Sequence, residues 1–525
     1  MQVNANLRAH VQRAGEGAGA EGTGDAGGTQ STGGAGTAPC PQPDPVHARL
    51  FIGGEWVEAE GGRRFEVTDP GTGLLAGTAA LGTRSDAVRA LMAAHRAFEG
   101  WARLSPYERA PFLHRAADLM RARLEDIAVT LTREQGKPLP DSRKEIAFAA
   151  DVIQYYAEEG KRVRGEWVAP VSTRTRSLVI RQPVGVVVAI VPWNYPVDLL
   201  AWKVGPALAA GCTVVAKPPG ETPLAVAQVV QCFADAGLPP GVLNMVTGPG
   251  EEVGEELVVN PLSRKVSITG STATGRRVME LAASHIKRLT LELGGHSPLI
   301  VCPDADLEVA VPAAARRSFS NMGQICIAVN RIYAHRRIYE QFAERLAEHA
   351  RGLKLGYGLE PGVEYGPMLN ERARQTTREH VRDALERGAT LLCGGREPQG
   401  PQFERGFYYL PTVLADVTPD MRVMREETFG PVAPVAVFDD LDEALAQANA
   451  TPYGLAAYVY TRDLPTALYA AERLEAGGVG INVNDVTELG APFGGWKESG
   501  FGRELGREGL ESYLETKHIR IGGLL

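Results

Sequence analysis

Short runs of Val and Ile that alternate with helix-like stretches constrain the fold of this chain more than any other feature. The runs are VGVVVAIV (184–191), TVVAK (213–217), VLNMVTG (242–248), KVSITG (265–270) and SPLIVC (297–302). Helix-like stretches such as TPLAVAQVVQCFADAG separate the first four runs. Because strands buried on both faces read as near-continuous apolar runs, this alternation predicts an α/β fold built on a parallel sheet covered by helices.

A second α/β pattern begins near residue 303. It includes a predicted helix over 337–352 and predicted strands near 407–416 and 432–438. Residues 84–164 read as helical, and their amphipathic spacing indicates that one face packs on a core. The length of 525 residues leaves room for two or three domains.

Two kinds of segment stand apart from these domains. Residues 166–181 and 517–523 alternate polar and apolar side chains without helices beside them, which predicts exposed strands able to pair with another subunit. Residues 1–47 are rich in Gly, Ala, Thr and Ser and contain no aromatic residue. Such a segment cannot bury enough surface to offset its chain entropy, so we expect a disordered N-terminal tail.

Composition argues against several classes of partner. The net charge of −8 disfavours nucleic acid and anionic membranes, and the longest strongly apolar run, 184–191, is too short to cross a bilayer. The six cysteines form no dense disulfide framework and no C-x-x-C pair. This usage suits a reducing compartment, and it predicts a cytoplasmic protein without a metal site.

The carboxyl ends of parallel strands meet at one edge of a sheet, where ligands bind. Those ends read PWNYP (192–196), KPPGETP (217–223), TGPG (247–250) and TGSTATG (269–275). None of them is a G-x-G-x-x-G fingerprint. Ser271 precedes a predicted helix whose free N–H groups and dipole suit a phosphate. Thr222 and Pro223 predict another helix start, with Thr222 as the N-cap.

Two side chains suggest chemistry, although each has a structural explanation. Cys326 lies in NMGQICIAVN (321–330), and Glu292 lies in LELGGHSP (291–298). A lone cysteine among aliphatic residues is usually a small core hydrophobe, whereas an activated thiolate attacks carbonyl carbon. A buried carboxylate is often salt-bridged and structural, and Asn194 in PWNYP can simply cap a turn.

Taken together, these segments resemble the aldehyde dehydrogenase superfamily over roughly residues 50–525. The motifs that carry the resemblance are, in the family's order, PWNYP, TGSTATG, LELGG, GQIC, EETFGPV (426–432), PFGGWKESG (492–500) and ESYLETK (511–517). The 34-residue separation of Glu292 from Cys326 also matches the common spacing of the family.

The resemblance implies a division into domains. A Rossmann-like dinucleotide-binding domain would comprise 48–164 and 184–294, and a catalytic α/β domain would comprise 295–498. Residues 165–183 and 508–525 would form a small β arm that joins subunits, so a homodimer or homotetramer is expected.

The resemblance also implies NAD(P)-dependent, hydrolytic oxidation of an aldehyde to the carboxylic acid. Cys326 would attack the aldehyde carbon as a thiolate, and the Asn194 amide with the Cys326 backbone N–H would hold the oxyanion. The adduct would expel hydride to the nicotinamide and leave a thioester, which water activated by Glu292 would hydrolyse. The alternatives are a coenzyme A-dependent acylating enzyme, which Glu292 argues against, and a catalytically silent structural homologue.

The cofactor-binding residues implied by the resemblance are Pro192, Trp193, Lys217, Gly220, Gly248, Gly270, Ser271, Glu427 and Phe429. Glu427 would hold the nicotinamide ribose with Phe429 beside it. Ser271 would meet the pyrophosphate, and Lys217 the adenosine ribose.

Gly220 departs from the pattern of the family. It stands where a Glu commonly accepts the ribose 2′-OH and repels a 2′-phosphate. We therefore expect NADP to be tolerated alongside NAD, unless Glu221 takes the place of the missing Glu. His296 stands where Lys is usual, and it has no assigned role.

The substrate class is less constrained than the reaction. EEGKRVRG (158–165) and GPALAAG (205–211) resemble the succinic-semialdehyde group, but Trp202 and Ser320 occupy the positions where that group carries arginines for the far carboxylate. Without those arginines, a dicarboxylic semialdehyde would lose its charge partners.

The predicted substrate tunnel comprises Tyr195, Asp198, Trp202 and Phe493, and it resembles that of enzymes for aliphatic or aromatic aldehydes. Trp202 can equally be plain core. The acids Asp198, Asp485 and Glu488 would instead favour a cationic aminoaldehyde.

Overall fold

The computed structural model describes residues 44–523. Most of the predicted disordered tail, 1–47, lies outside the described residues. Its last residues depart from the prediction, because Val46–Ala48 forms a strand that pairs in parallel with residues 77–79. Regular structure therefore begins before residue 48.

The strands of the first half are β1 (Val46–Ala48), β2 (Leu50–Ile52), β3 (Glu55–Val57), β4 (Arg64–Thr68), β5 (Leu75–Ala80), β6 (Glu166–Val168), β7 (Arg176–Pro183), β8 (Val186–Ile190), β9 (Thr213–Lys217), β10 (Leu243–Met245), β11 (Ser263–Thr269) and β12 (Arg288–Glu292). Those of the second half are β13 (Ser297–Val301), β14 (Val329–His335), β15 (Thr390–Cys393), β16 (Thr412–Ala415), β17 (Val432–Phe438), β18 (Tyr453–Gly454), β19 (Ala456–Tyr460), β20 (Gly478–Ile481), β21 (Trp496–Lys497), β22 (Gly500–Phe501) and β23 (Leu514–Ile521).

The α-helices are α1 (Arg84–Arg103), α2 (Pro106–Ala122), α3 (Leu124–Gln135), α4 (Leu139–Glu159), α5 (Pro196–Ala210), α6 (Leu224–Asp235), α7 (Glu255–Val259), α8 (Thr272–Ala283), α9 (Leu307–Phe319), α10 (Tyr339–Gly352), α11 (Glu371–Glu386), α12 (Arg422–Arg425), α13 (Leu441–Asn449), α14 (Leu464–Arg473) and α15 (Gly506–Glu511). Short 3₁₀ turns occur at Gly160–Arg162, Ser320–Gly323 and Pro401–Phe403, and a π-helical turn at Gly250–Gly254.

The first large sheet has eight strands in the order β22-β12-β11-β8-β9-β10-β2-β3. The five central strands are parallel to one another, and they are β12, β11, β8, β9 and β10. Antiparallel strands close both edges of the sheet. Val186, Val187 and Val188 of β8 are all buried, as expected for a strand covered on both faces. The predicted parallel sheet is confirmed.

The second sheet has seven strands in the order β15-β16-β17-β14-β13-β19-β20. All neighbours are parallel except β15 and β16. The chain leaves the first sheet at Glu292 and enters the second at Ser297, so the LELGG motif bridges the two sheets. This confirms the α/β class, while the domain boundaries stay predictions.

The predicted exposed strands form an antiparallel sheet in the order β23-β7-β6. Eight residue pairs join β7 to β23, and β6 leaves an open edge. Trp167 in β6 is 62% exposed. Among residues 44–523, no helix combines the length and the apolar character that crossing a membrane would require.

The start of helix α6 differs from its prediction. Pro223 is the N-cap and Thr222 makes no capping bond, because its hydroxyl donates to the Trp193 carbonyl at 3.3 Å. The Glu134 carboxylate of α3 accepts from the N–H groups of Leu224 and Ala225, at 2.7 and 2.8 Å. A carboxylate distant in sequence therefore satisfies the free donors of this helix start.

Candidate active site

Cys326 lies in a sharply turned loop between α9 and β14. Asn321, Met322 and Gly323 adopt left-handed backbone conformations, with φ of 47°, 57° and 70°. Only glycine fits at position 323, because a Cβ there would lie 2.1 Å from the Gly430 carbonyl oxygen. Successive left-handed residues are costly and persist only where their surroundings hold them.

Side-chain hydrogen bonds hold this loop. Gln135 donates to the Asn321 side-chain oxygen at 2.9 Å, and the Asn321 amide donates to the Asn194 carbonyl at 3.2 Å. Gln324 accepts from the Leu369 N–H at 3.0 Å and donates to the Asn321 carbonyl at 3.1 Å. The Cys326 loop is thereby fastened to PWNYP and to the end of α3.

The LELGG segment packs directly against this loop. A Cβ on Gly295 would lie 2.1 Å from the Cys326 carbonyl oxygen, so only glycine permits this approach. A Cβ on Gly494 would lie 2.8 Å from Glu292 Oε1, which places the PFGG motif beside that carboxyl. Glycines in two motifs thus make room for the groups around Cys326.

Glu292 is 2% exposed, and neither of its carboxyl oxygens has a hydrogen-bond partner within residues 44–523. Burial raises the pKa of Glu292 well above its ordinary value, and Glu504 raises it further, while Lys203 and Arg503 lower it. A buried carboxyl without a partner is costly and is typical of a functional site.

The ion pair of Lys203 with Glu504, which the sequence analysis missed, lies near Glu292. Lys203 Nζ lies 2.7 Å from Glu504 Oε1 and 2.7 Å from Thr269 Oγ1. Glu504 Oε2 has no partner among the described residues. The available signal was a single lysine in the apolar helix α5, since a buried lysine needs a counter-charge.

Asn194 follows β8, and α5 begins two residues later with Pro196 at its first position. The Asn194 amide donates to the Gln324 carbonyl at 3.0 Å. Its own carbonyl accepts from Lys137 Nζ at 2.6 Å, and Lys137 forms a fully buried ion pair with Glu145. These contacts aim the amide at the Cys326 loop.

Burial, and then Glu427 and Glu292, raise the pKa of Cys326, whereas Arg317 lowers it, and the resulting pKa is about 12. The thiol is therefore protonated at neutral pH in the protein by itself. The thiolate expected from the sequence requires that a base take this proton.

Two cavities meet at Cys326, and Asn194, Thr269 and Cys326 line both. We call the first the substrate-side cavity. It has a volume of about 350 Å³ and is lined by Asp141, Lys144, Glu145, Phe148, Asn194, Tyr195, Asp198, Leu199, Trp202, Thr269, Glu292, Arg316, Arg317, Ser320, Ile325, Cys326, Ile327, Asp485, Thr487 and Phe493.

All four residues of the predicted tunnel line the substrate-side cavity. The rings of Trp202 and Phe493 are 5.1 Å apart in an edge-to-face arrangement. Trp202 is buried and also lines the cavity, so its two predicted roles coincide. Burial raises the pKa of Asp198 well above its ordinary value, Glu145 raises it further, and Asp198 Oδ1 has no partner among the described residues.

The second, the cofactor-side cavity, has a volume of about 480 Å³ and is lined by Pro192, Trp193, Asn194, Glu221, Thr269, Gly270, Ser271, Leu293, Gly294, Cys326, Asn370, Arg372, Ala373, Thr376, Glu427, Thr428 and Phe429. Six predicted cofactor residues line it. The other three, Lys217, Gly220 and Gly248, do not, whereas Glu221 does. A Cβ on Gly248 would lie 2.7 Å from the Gly82 carbonyl oxygen, so this glycine serves close packing.

The cofactor-side cavity has features that fit a dinucleotide. Helix α8 begins directly after Ser271, as predicted, and Ser271 caps it by accepting from the Thr274 N–H at 3.2 Å. The dipole of this helix start suits a phosphate. The rings of Trp193 and Phe429 are 5.4 Å apart. Burial raises the pKa of Glu427 to about 7, and its Oε1 accepts from the Gly295 N–H at 3.0 Å.

The region of Gly220 is open. A Cβ on Gly220 would meet no atom within 4 Å. Lys217 is buried, and its Nζ has one bond, to the Pro218 carbonyl at 3.5 Å. Burial lowers the pKa of Lys217, and Glu221 raises it, so Glu221 lies within electrostatic reach of this lysine.

His296 is fully buried, and no partner for either ring nitrogen lies within the described part of the chain. Burial and then Arg331 lower its pKa well below the ordinary value. Arg331 donates to the His296 carbonyl at 3.0 and 2.8 Å. These contacts are structural, and they give the histidine no role in the two cavities.

Comparison with known proteins gives a consistent result. The model of the Aldehyde dehydrogenase family matches residues 56–519. The chain is 46% identical over 484 residues to a 3-sulfolactaldehyde dehydrogenase of Pseudomonas putida, covering 92% of this chain and 98% of that one. It is 45% identical over 474 residues to an NADP(+) succinate-semialdehyde dehydrogenase of Escherichia coli, covering 90% and 98%.

Solved structures show the same similarity. An NADP-dependent enzyme of E. coli matches with a TM-score of 0.89 and 44% identity, over 91% of this chain and 98% of that one. A betaine aldehyde dehydrogenase of Staphylococcus aureus in complex with NAD+ matches with a TM-score of 0.89 and 36% identity, over 91% and 95%.

Proposed function

The chain belongs to the aldehyde dehydrogenase family, whose members oxidise aldehydes to acids, and we propose that it uses NAD or NADP and a thioester on Cys326 that water hydrolyses. One observation carries this mechanism. Cys326 lies where the two cavities meet, with the unpartnered carboxyl of Glu292 on the substrate side.

The first step is attack of Cys326 Sγ on the aldehyde carbon. Because its pKa is raised to about 12, the thiol must lose its proton as the bond forms. Glu292 lines the same cavity, and its raised pKa makes its ionised form a strong base for that proton. The ionised Glu292 is thus the candidate activator of the nucleophile.

Asn194 is the candidate donor to the developing oxyanion. Its amide now donates to the Gln324 carbonyl, two residues before Cys326, and it borders both cavities. Removing one such donor typically costs about 3–4 kcal/mol of transition-state stabilisation. Lys137 and Asn321 hold the main chain of Asn194, so little reorganisation is needed.

Ser271, Glu427 and Phe429 would help to hold the cofactor, which supplies the hydride acceptor when bound, and an acyl group would remain on Cys326. Glu292 must next release the thiol proton, and Glu504, whose Oε2 has no partner among the residues described, can receive it. Glu292 would then take a proton from the water that attacks the thioester, and Cys326 would leave as the thiolate while the acid is released. Lys203 holds Glu504 in place through Oε1.

Both cofactors are compatible with the adenosine end of the site. The open space at Gly220 removes the usual repulsion of a 2′-phosphate, which favours NADP. Glu221, on the border of the cavity, favours NAD. We propose that the enzyme accepts both.

The decisive assay follows reduced cofactor and identifies the product. An aldehyde should be converted to its free acid with either NAD or NADP in the absence of coenzyme A. Formation of an acyl-coenzyme A, or a strict need for coenzyme A, would show that the acyl group is transferred to coenzyme A and is not hydrolysed. Absence of turnover with a broad panel of aldehydes would indicate a silent homologue.

We also propose a homodimer or homotetramer joined through the β23-β7-β6 sheet. The open edge of β6 and the exposed Trp167 are suited to pairing with a second copy. Light scattering on the full chain and on a chain lacking 517–525 tests this, and an unchanged mass would contradict it.

A further inference from the structure

We propose that Arg317 binds an anionic group at the far end of the substrate, so that the substrate is a short aldehyde carrying a carboxylate or a sulfonate. This inference rests on the proposed function, because it concerns the aldehyde that Cys326 attacks. Arg317 was not singled out from the sequence. It lies near the end of α9, three residues before Ser320.

Arg317 is held in place and still has a free donor group. Its side chain is 10% exposed, and Nη2 donates to Asp485 Oδ2 at 2.5 Å. Nε donates to the Asn484 carbonyl. Nη1 has no hydrogen-bond partner in the described part of the chain, and it is not completely buried. It can therefore donate to a ligand in the cavity that Arg317 lines.

The guanidinium stays charged in this position. Burial lowers the pKa of Arg317, but Tyr458 and Asp485 outweigh it, and the pKa rises above its ordinary value. Asp485 is 51% exposed, so water screens its half of the pair. A second anion at Nη1 is therefore a favourable partner for this buried cation.

The other buried charges of the cavity do not offset Arg317. Glu145 is paired with Lys137. Burial raises the pKa values of Asp198 and Glu292 and so disfavours a negative charge on either carboxyl, and Glu292 reacts through its ionised fraction. The remaining cations, Lys144 and Arg316, are exposed. The interior therefore favours an anion over a cationic aminoaldehyde.

Position relative to the nucleophile limits the substrate's length. Arg317 and Cys326 line the same cavity of about 350 Å³, so a substrate that spans from the thiol to the guanidinium must be short. The positions resembling the arginine sites of the succinic-semialdehyde group hold Trp202 and Ser320 here, and Arg317 supplies a cation one helical turn from Ser320. Two similar proteins are named for aldehydes that carry a sulfonate or a carboxylate.

The test is steady-state kinetics of the full-length enzyme with four aldehydes of similar length. One carries a distal carboxylate, one a sulfonate, one a methyl group and one an ammonium group. The wild type should prefer the two anionic aldehydes. Arg317→Met should raise KM for them by about ten- to a hundredfold, whereas the change in kcat, which follows the pKa of Cys326, should be smaller and the same for the methyl aldehyde. Arg317→Lys should restore part of the loss.

The matched control is Arg336→Met, which removes an exposed Arg–Asp pair outside both cavities and should change no KM. Asp485→Asn should lower KM for the anionic aldehydes, because it removes the negative charge that partly neutralises Arg317. The ratio of kcat/KM for the carboxylate aldehyde to kcat/KM for the sulfonate aldehyde shows which anionic group is preferred.

Two outcomes overturn the inference: a wild-type preference for the methyl or ammonium aldehyde, or an equal loss with all substrates in Arg317→Met when melting temperature and cofactor binding are unchanged. If Arg317→Met fails to fold, Arg317→Lys and Asp485→Asn decide, and unchanged KM values in both would reject it. Failure of the wild type to oxidise any aldehyde would instead refute the proposed function.

Discussion

The two cavities that meet at Cys326 are built differently. Strand ends, turns and helix starts, such as Pro192, Gly270 and Ser271, form much of the cofactor-side cavity. Side chains of α4, α5 and α9, among them Phe148, Trp202 and Arg317, form much of the substrate-side cavity. Because main-chain groups do not depend on residue type and helix side chains do, the first cavity suits a common ligand and the second can distinguish aldehydes.

The cavities also differ in how they hold charge. Glu427 on the cofactor side has a pKa of about 7, and the cation on that side, Arg372, is exposed. The substrate side combines two carboxyls whose pKa values are raised by burial with the buried cation Arg317. The substrate-side cavity is therefore suited to select its ligand by charge. The cofactor-side cavity is suited to select its ligand mainly by shape and hydrogen bonds.

The largest expected effect concerns Cys326, one of the three residues that line both cavities. Cys326→Ala should reduce aldehyde oxidation to background, because no other nucleophile is proposed to attack the aldehyde carbon. NAD and NADP should still bind. Turnover and cofactor affinity by calorimetry are the measurements. Cys393→Ala, at a half-buried cysteine outside both cavities, is the control and should remain active. Full turnover of Cys326→Ala would remove its assignment as nucleophile.

The next effect should separate the two halves of the reaction. Glu292→Gln should slow the initial burst of reduced cofactor, because the Cys326 thiol lacks the base that takes its proton, and it should slow steady-state turnover by about 10²–10⁴-fold, because the thioester lacks its base as well. Rapid-mixing absorbance measures the burst, and mass spectrometry detects the acyl group on Cys326. A burst at the wild-type rate would show that Glu292 acts only in the hydrolysis of the thioester, and normal steady-state turnover would exclude it from both steps.

A smaller effect is expected at the cofactor side. Gly220→Glu should raise KM for NADP by about 5–150-fold, because a like-charge contact in a partly solvated site costs about 1–3 kcal/mol. The new side chain has room, since a Cβ at 220 meets nothing within 4 Å. The measurement is kcat/KM for both cofactors.

Glu221→Gln is the companion variant, because Glu221 borders the cavity and Gly220 does not. If the unaltered enzyme already rejects NADP a hundredfold or more, Glu221 is the determinant, and its variant should then accept NADP.

The smallest effect is the dependence on pH. The pKa values of Cys326 and Glu292 are both raised, and the attack requires the loss of one proton from this pair, because ionised Glu292 takes the proton of the Cys326 thiol. Below those values the pair holds both protons, so kcat/KM should rise with pH by at most about tenfold per unit. A rate that falls between about pH 7 and about pH 9, with the fold intact by circular dichroism, would contradict these roles.

Much of the architecture could be predicted from local pattern. The runs of Val and Ile became strands of the two parallel sheets, and Ser271 caps α8. These features depend on neighbours in sequence, such as burial on both faces of a strand or a hydroxyl three residues before a free N–H. The family motifs likewise brought Asn194, Glu292 and Cys326 into one cavity.

The failures share a cause, which is that the partner is distant in sequence. Glu134 caps α6 in place of Thr222 from 90 residues away. Lys203 meets Glu504 across 301 residues. Gly220 stays a predicted cofactor residue, and its neighbour Glu221 borders the cavity. No local pattern specifies such pairs, because chain topology decides which surfaces meet.

The sequence by itself determined the α/β class and the order of the motifs, and it predicted Cys326 as the nucleophile, since these follow from residue type and short spacing. Only the tertiary structure decided the charge state of the site. Burial raises the pKa values of Cys326, Glu292 and Asp198, and it leaves Arg317 as the buried cation of the substrate-side cavity. The reason is that a protonation energy depends on the solvent and charges within a few ångströms, and folding alone brings those groups together.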